Sequence, residues 1–490
     1  MKSIKLNFVY NVLLNVSSVI FPLITAPYIA RVLEPDGVGL FNFAGTYAGY
    51  FALVALLGIP TYGVREVAKT REDKQGLARL VSEMMSIALI TTIVVSTIYI
   101  ISIAMVGQLK ENYIIFLFSG FAVYLAPFKI NWYYQGLEEF GFITLRSLII
   151  RVLSIICLFL FVHEKSDLII YIIINVSSIV IADIWNFTKM WRFGVHPYFT
   201  MRGLKKHLKP LWLLFASSIA ISIYTVLDTL MLGFIKDYTE VGYYNNAMHM
   251  SRMLIVVITS LSVVSIPRFS SYINKGLLKE ANGLANKSFS FVGLLAFPIS
   301  LGLICIAPIF VPWFLGEEFY GSIFPLQLLS VLNIAIGFSN ILGVQILVGL
   351  NKEKAYLMCI LIGTISNFLL NCILIPVKGA IGASIASVTA ELLVTSSMFY
   401  YVYKETPVRV EVWNDMAKSL FGASLFIPLK LVIPVLDNKF LFILLFALAS
   451  FIIYSMTQLV LRNSLALNLW GEGKKKILTF LKNKRHQNEI

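Results

Sequence analysis

The chain has 490 residues, 58% of them hydrophobic and only 13% charged, with a mean hydropathy of +0.81. That balance excludes a soluble globular protein and sets the class as an all-α polytopic membrane protein. The formal net charge is +14, but Lys and Arg sit in short loops between apolar runs with no basic groove-reading module. Nucleic acid is therefore excluded as a partner, and the charge fits membrane topology and attraction to anionic inner-leaflet lipids.

Apolar length and breaker residues predict about fourteen spans. The first six are Leu6–Ala30, Phe41–Gly63, Met84–Leu109, Asn112–Phe128, Phe142–Val162 and Leu168–Met190. The next six are Pro210–Ile235, Val241–Pro267, Ser288–Phe314, Gly321–Gly349, Ala355–Val377 and Gly379–Tyr403. Ser419–Val435 and Phe440–Leu461 follow. Leu6–Ala30 is too long for a signal-peptide core and is read as an uncleaved span. Pro22 and Pro27 in it weaken its hydrogen-bond ladder and permit a bend.

Alternate loops are rich and poor in Lys and Arg. Roughly thirty basic residues fall on one side of the membrane and about seven on the other, which places both termini in the cytoplasm. The tail segment Lys474–Arg485 mixes lysines with Ile477, Leu478, Phe480 and Leu481. It reads equally as an amphipathic helix on the inner leaflet or as a solvated basic tail.

Two heptads echo each other: Val38-Gly39-Leu40-Phe41-Asn42-Phe43-Ala44 and Val241-Gly242-Tyr243-Tyr244-Asn245-Asn246-Ala247. Each opens an even-numbered span after an outer loop, and the same offset carries Arg65 onto Arg268. A repeat that keeps its orientation predicts two pseudo-symmetric six-helix lobes related by an axis along the membrane normal. The lobes are residues 1–209 and 210–417, followed by two added helices at 418–461 and a basic tail at 462–490. Two such lobes imply a cleft that rocking opens to each side in turn.

Polar residues form stripes inside the apolar runs. Asn7, Asn11, Asn15, Ser18, Pro22 and Thr25 line the first. Asn245, His249 and Arg252 stack on one face of the eighth. A charge at mid-bilayer costs roughly 2.5–3.5 kcal/mol on the insertion scale, so such stripes face protein or water rather than lipid. A membrane protein with a polar interior and no catalytic constellation reads as a transporter. The four cysteines lie in apolar runs without metal or redox spacing. No P-loop lysine is present, so neither a cofactor nor direct ATP use is indicated.

Several segments carry a family resemblance. They are Pro27-Tyr28-Ile29-Ala30-Arg31-Val32-Leu33 with Gly37-Val38-Gly39, Gln135-Gly136-Leu137-Glu138-Glu139-Phe140, Asp228-Thr229-Leu230-Met231-Leu232-Gly233, Val241-Gly242-Tyr243-Tyr244 and Gly349-Leu350-Asn351-Lys352-Glu353-Lys354. With them the chain resembles the Wzx-type polysaccharide and O-antigen flippases of the multidrug/oligosaccharidyl-lipid/polysaccharide (MOP) exporter superfamily. The resemblance spans most of the chain and is weakest in the last two spans. It implies an undecaprenyl-diphosphate-linked oligosaccharide as cargo, moved from the inner to the outer leaflet of a bacterial plasma membrane. Polysaccharide polymerase or assembly proteins are implied as partners.

Against that cargo, an arginine fork pairs with two phosphate oxygens and stays charged. Arg252 near mid-span is the first candidate, the competing role being an ion pair with Asp228 or Glu391. Arg151 is comparably deep in the fifth span. Arg146 lies near its inner end, where snorkelling to the cytoplasm competes with cargo contact. Arg31, at the outer end of the first span, is either a release site for the diphosphate or an interfacial anchor. Asn245 suits sugar hydroxyls. His249 is a sugar contact, a titrating group or a hydrogen-bonded core residue. Asp228, on one face with Ser217 and Tyr224, and Glu391 in the twelfth span are candidate coupling sites for a proton or Na+ gradient, or simply arginine partners. Asn367 and Asn371 line a lobe or cement helix packing. Three alternatives stand beside the flippase: a cation-coupled multidrug exporter, a lipid II flippase and, from a different class, a membrane-embedded polymerase or ligase. A drug exporter would favour acids in its cleft. An enzyme would need a large outer loop, whereas all outer loops here are about four to eleven residues, ordinary connections.

Overall fold

The computed structural model describes residues 4–434, 436–468 and 470–471. The predicted amphipathic segment Lys474–Arg485 and both chain ends lie outside the described residues. Every regular element among the described residues is helical. Nine helices among them are long and apolar enough to cross a membrane, which makes this a multi-pass membrane protein. The chain divides into two compact units, Met1–Asn245 and Asn246–Ile490.

Unit 1 opens with α1 (Ile4–Leu56), which joins the first predicted span to most of the second across a break at Glu34, where φ is 56°; the second span's end, past Leu56, falls beyond a second break at Leu57 and Gly58. Pro35 explains the first break: it disfavours helical geometry in the residue before it. Then come α2 (Ile59–Thr70), α3 (Lys74–Met105) and α4 (Gly107–Glu111). The predicted fourth span is fragmented into α5 (Tyr113–Ser119), α6 (Phe121–Tyr124) and a 3-10 turn at Ala126–Phe128. Gly120 and Pro127 interrupt its ladder. The unit continues with α7 (Asn131–Gly136), α8 (Phe140–Phe161), α9 (Leu168–Arg192), α10 (Lys205–Ile235) and the start of α11 (Tyr238–Arg252). One core cluster packs Tyr62, Met84, Trp132, Tyr133, Tyr134 and Leu211 together, drawing α2, α3, α7 and α10 onto one another.

Unit 2 begins inside α11. The predicted continuous span Val241–Pro267 is interrupted after Arg252, and α12 (Ile255–Asn274) restarts beyond it. The apolar run continues through the interruption, so composition carries no sign of it. α13 (Leu278–Leu315), α14 (Ile323–Ser330) and α15 (Leu332–Asn340) lead into a π-helical stretch at Ile341–Leu347. α16 (Glu353–Glu405) contains two predicted spans that meet at Gly379, where φ is 52°. A Cβ placed on Gly382 would fall 2.3 Å from the carbonyl oxygen of Leu374. Residues eight apart lie about 12 Å apart along a straight helix, so the chain folds back on itself there. α17 (Trp413–Ser424), α18 (Phe426–Val432) and α19 (Lys439–Val460) close the unit. Phe297, Phe426, Phe442, Phe446 and Tyr454 pack α13, α18 and α19 together.

Candidate functional site

The first half of α1 leaves both of its faces open. Asn11, Asn15, Ser18 and Pro22 of the polar stripe are exposed, and so are Val12, Val16, Ile20 and Ile24. The apolar face suits lipid tails, and the polar face needs water or a polar ligand. Asn15 donates to the Asn11 side chain at 3.2 Å and Ser18 to the carbonyl of Asn15 at 2.6 Å, so the stripe satisfies part of its own hydrogen bonding. Asn7, at its start, is buried with its Oδ1 unpartnered. Arg151 on α8 reaches this helix. Its Nη1 donates to Ser17, and its guanidinium lies 5.9 Å from the centre of the Phe21 ring. It is half-buried, with a donor fork only partly engaged. Arg31 is exposed, three residues before the Glu34 break.

Arg146 overturns the snorkelling expectation: it is 3% exposed. Nη1 donates to Oδ1 of Asn186 on α9, and Nη2 to Oδ1 of Asn131 on α7 at 3.0 Å. Asn186 in turn donates to Asn131 at 3.2 Å. The two amides supply inside the protein the acceptors that snorkelling would seek at the surface. Asn131 lies beyond the predicted fourth span, so helical periodicity alone does not bring it to Arg146.

Asp228 is 5% exposed and accepts a hydrogen bond from the Tyr244 hydroxyl. One residue on, Thr229 donates to Oδ1 of Asn245 at 3.0 Å, while Asn245 donates to the carbonyl of Val241 at 3.1 Å. These bonds tie α10 to the start of α11. Ser217 is exposed and bonds back to Leu213; the Tyr224 side chain lies outside the described residues.

In unit 2, His249 and Arg252 are both exposed. Arg252 forms no ion pair among the described residues. His249 is not a packed core histidine. Glu391 is 6% exposed and accepts from the Ser339 hydroxyl at 2.7 Å. Asn371 donates to Asn367 at 3.1 Å, both buried on one face of α16.

Sequence reasoning missed two buried clusters of unit 1. Asp183, the lone acid of the sixth predicted span, is 6% exposed beside the Arg146 clamp. Its signal, a single acid in an apolar run, is the one that picked out Asp228. Glu83, His207 and Tyr62 form a buried chain: Nε2 of His207 lies 2.8 Å from the Glu83 carboxylate, and Nδ1 lies 2.8 Å from the Tyr62 hydroxyl. Lys206 completes it with a 3.0 Å ion pair to Glu83.

Comparison with known proteins bears on what such a membrane protein does. A protein named as an O-antigen transporter in Escherichia coli strain K12 is 27% identical over 405 residues, 82% of this chain and 97% of its own length. A protein named as a low-salt glycan biosynthesis flippase in Haloferax volcanii is 22% identical across 81% of this chain and 84% of its own length. Among solved structures, the lipid II flippase MurJ in an inward closed conformation superposes with a TM-score of 0.72 at 16% identity, over 93% of this chain and 99% of that one. An inward-facing multidrug resistance MATE family transporter of the MOP superfamily gives 0.58 at 14% identity, over 78% and 93%. At those identities the two structures establish a shared fold. The resemblance to Wzx-type flippases of that superfamily is thereby supported from sequence and fold together. A family model described as polysaccharide biosynthesis protein matches residues 4–273, more than half of the sequence, and the chain belongs to that family.

Proposed function

We propose that this protein is a flippase that carries undecaprenyl-diphosphate-linked oligosaccharide units across the bacterial plasma membrane, for assembly of O-antigen, capsule or exopolysaccharide. The family match and the transporters and flippases among its relatives support transport of a lipid-linked glycan rather than enzymatic chemistry. The observation that carries the cargo assignment is Arg252: a cation inside an apolar run, exposed and without an ion-pair partner among the described residues. An unneutralised guanidinium in a membrane span is costly unless it meets water or an anion, and a diphosphate matches its fork. Arg151, Asn245 and His249 supply further donors and acceptors, and Arg31 offers a second cation for the diphosphate on release.

The loop charge bias supports fourteen spans with both ends inside, and the heptad repeat supports two lobes at residues 1–209 and 210–417 working by alternating access. Asp228 and Glu391, each buried and hydrogen-bonded, are the residues proposed to couple transport to a proton or Na+ gradient. Anionic inner-leaflet lipids and polysaccharide assembly proteins are the proposed partners. A second reading, transport of lipid II, is favoured by the close fold match to MurJ.

Reconstitution into vesicles tests the assignment. With a fluorescent undecaprenyl-diphosphate oligosaccharide in one leaflet, the protein is expected to accelerate leaflet exchange, and Arg252→Ala to abolish it. Exchange of lipid II alone would transfer the assignment to the second reading. No exchange of either lipid would overturn both.

A further inference from the structure

α9 carries an acid that neither the cargo nor the coupling assignment uses. Asp183 is 6% exposed, and its Oδ2 has no hydrogen-bond partner. Native folds rarely leave a buried oxygen in that condition. A second orphan, of the opposite kind, lies near it. Arg146 spends Nη1 and Nη2 on Asn186 and Asn131, but its Nε is buried and bonds nothing. Nη1 also comes within 3.5 Å of the carbonyl of Ala182, the residue before Asp183. Asp183 and Asn186 are three apart on α9 and share a face. The guanidinium therefore rests on a neutral amide with a carboxyl group one turn away.

That choice of partner is informative. A carboxylate meets an arginine with opposite charge and two parallel N–H···O bonds, which a single neutral amide oxygen cannot match. An ionised Asp183 would compete for Arg146; a protonated one would not. Asp183 also lines a cavity of about 560 Å³ with Leu125, Phe128, Phe187, Thr188 and Arg192. The walls are mostly apolar, and the cavity runs toward the end of α9 where Arg192 sits.

We propose that Asp183 is a proton-binding residue whose proton decides which partner Arg146 holds. With the acid protonated, Arg146 bridges Asn131 and Asn186 and clamps α7 to α8 and α9. On deprotonation the O–H bond of Asp183 breaks, the proton passes to water at the polar end of the pocket beside Thr188 and Arg192, and the carboxylate keeps the electron pair. The new charge draws Arg146 off the two amides, and α7 loses its tie to α8, keeping only the Asn186–Asn131 and Tyr134–Asn186 bonds to α9.

The charges around the acid are consistent with this exchange. Lys129, just after the 3-10 turn, acts on Asp183 electrostatically while its Nζ donates to the carbonyl of Ala122 at 2.8 Å. Lys189 is engaged by Glu139 at 3.6 Å and lies over the Phe142 ring. On α7, the Tyr134 hydroxyl donates to the carbonyl of Asn186 at 2.5 Å; on α6, the hydroxyl of Tyr124 is buried without a partner. Arg192 is exposed at the far end of the same pocket, Arg151 on α8 is held by Ser17, and Asp167 with the Lys165–Glu34 ion pair lies at the opposite end of α9. Asp167 is sixteen residues from Asp183, about 24 Å along the helix. The latch is read from the packing of unit 1 and does not depend on the identity of the cargo.

The full-length protein in lipid nanodiscs tests it without a transport assay. Infrared titration of the wild type should show a carboxylic-acid carbonyl band that shrinks as pH rises, and Asp183→Asn should lose the component of that band due to Asp183. Deuterium uptake in residues 131–136, corrected for intrinsic exchange, should rise past the same midpoint by up to about tenfold per pH unit, the one-proton limit. In Asp183→Asn, which imitates the neutral acid, uptake should stay at the low-pH level. In Asn131→Ala, which removes the clamp, it should stay at the high level. Should Asp183→Asn not fold, Asp183→Glu must move both the band and the midpoint. A band undiminished in Asp183→Asn, or uptake with the same pH dependence in wild type and variants, overturns the proposal.

Discussion

Gly39 and Gly242, the second residues of the two repeated heptads, meet at one close crossing of their backbones. A Cβ on Gly39 would lie 1.6 Å from the carbonyl oxygen of Tyr238 and 2.8 Å from the amide nitrogen of Gly242. A Cβ on Gly242 would lie 2.1 Å from the carbonyl oxygen of Pro35. The second half of α1 and the start of α11 thus cross where both sequences offer a hydrogen in place of a side chain. Small residues are how membrane helices bring their backbones this close, because packing drives their association where lipid is as apolar as the helices. The repeat seen in the sequence therefore has a physical reason at its glycine positions.

Gly39→Ala and Gly242→Ala should each force this crossing apart, since the obstructing atoms are backbone and have no rotamer to adopt. Overpacking of this kind costs about 1–3 kcal/mol. Gly45→Ala, where an added Cβ meets nothing within 4 Å, is the control and should leave stability unchanged. Thermal unfolding in detergent reads the difference. Equal stability for Gly39→Ala and Gly45→Ala would show that the crossing is looser than these distances indicate.

The glycine contact also marks how far the sequence reaches. Long apolar runs, lone acids such as Asp228 and Glu391, and the repeat are local or periodic signals, and all are legible. Arg146 is not. Its place near the inner end of the fifth span suggested a reach to the surface, but the decision belongs to Asn131 and Asn186, which lie 15 residues before and 40 after it. Periodicity states which face a residue occupies, not which neighbour brings the opposing polar group. The same holds for His207, which finds Glu83 across 124 residues. Arg252 was legible because its face carried Asn245 and His249 as well. Whether it was paired was not, because pairing is a tertiary fact.

Arg252→Ala should weaken cargo binding without destabilising the fold. Its side chain is exposed and forms no ion pair among the described residues, so its removal leaves no charge unpaired. Loss of a hydrogen bond to a charged group is worth about 1.5–3 kcal/mol, or about tenfold to a hundredfold in affinity. Arg252→Lys should recover only part of this, because an ammonium restores the charge but not the planar fork. Binding of a lipid-linked oligosaccharide to the purified protein, with unfolding measured alongside, separates the outcomes. A fall in stability equal to the fall in binding would assign Arg252 to structure.

Glu83 should matter for stability and not for cargo. It receives His207 at 2.8 Å and Lys206 at 3.0 Å, and the chain continues to Tyr62. Glu83→Ala leaves buried His207 without its acceptor and should cost about 1.5–3 kcal/mol. Glu83→Gln keeps an oxygen in place and should cost less. Hydrogen exchange at the start of α10, where His207 sits, should report the loosening first. If Glu83→Ala and wild type exchange alike there, the chain contributes nothing to holding α2, α3 and α10 together.

Asp415, in the first turn of α17, gives a pH dependence whose sign follows from its contacts. Burial alone would push its carboxyl up, but the Ser464 hydroxyl, Lys418 at 3.2 Å and the Ser464 amide at 3.4 Å outweigh it and hold the group below the ordinary aspartate range. A carboxyl depressed in the folded state contributes stability in full above its unfolded pKa of about 3.9 and loses it as pH falls through the folded value. What it secures is the turn after α19, since Asn463 also donates to the Asp415 carbonyl at 3.2 Å. Deuterium uptake across residues 463–468, corrected for intrinsic exchange, should be flat from about pH 7 to 5 and rise below about pH 4. Asp415→Asn has no charge to lose, so its uptake should begin higher and show no acid transition. A transition of equal size in that variant would place the acid sensitivity in another carboxylate and leave the Asp415–Ser464 contact without an energetic role.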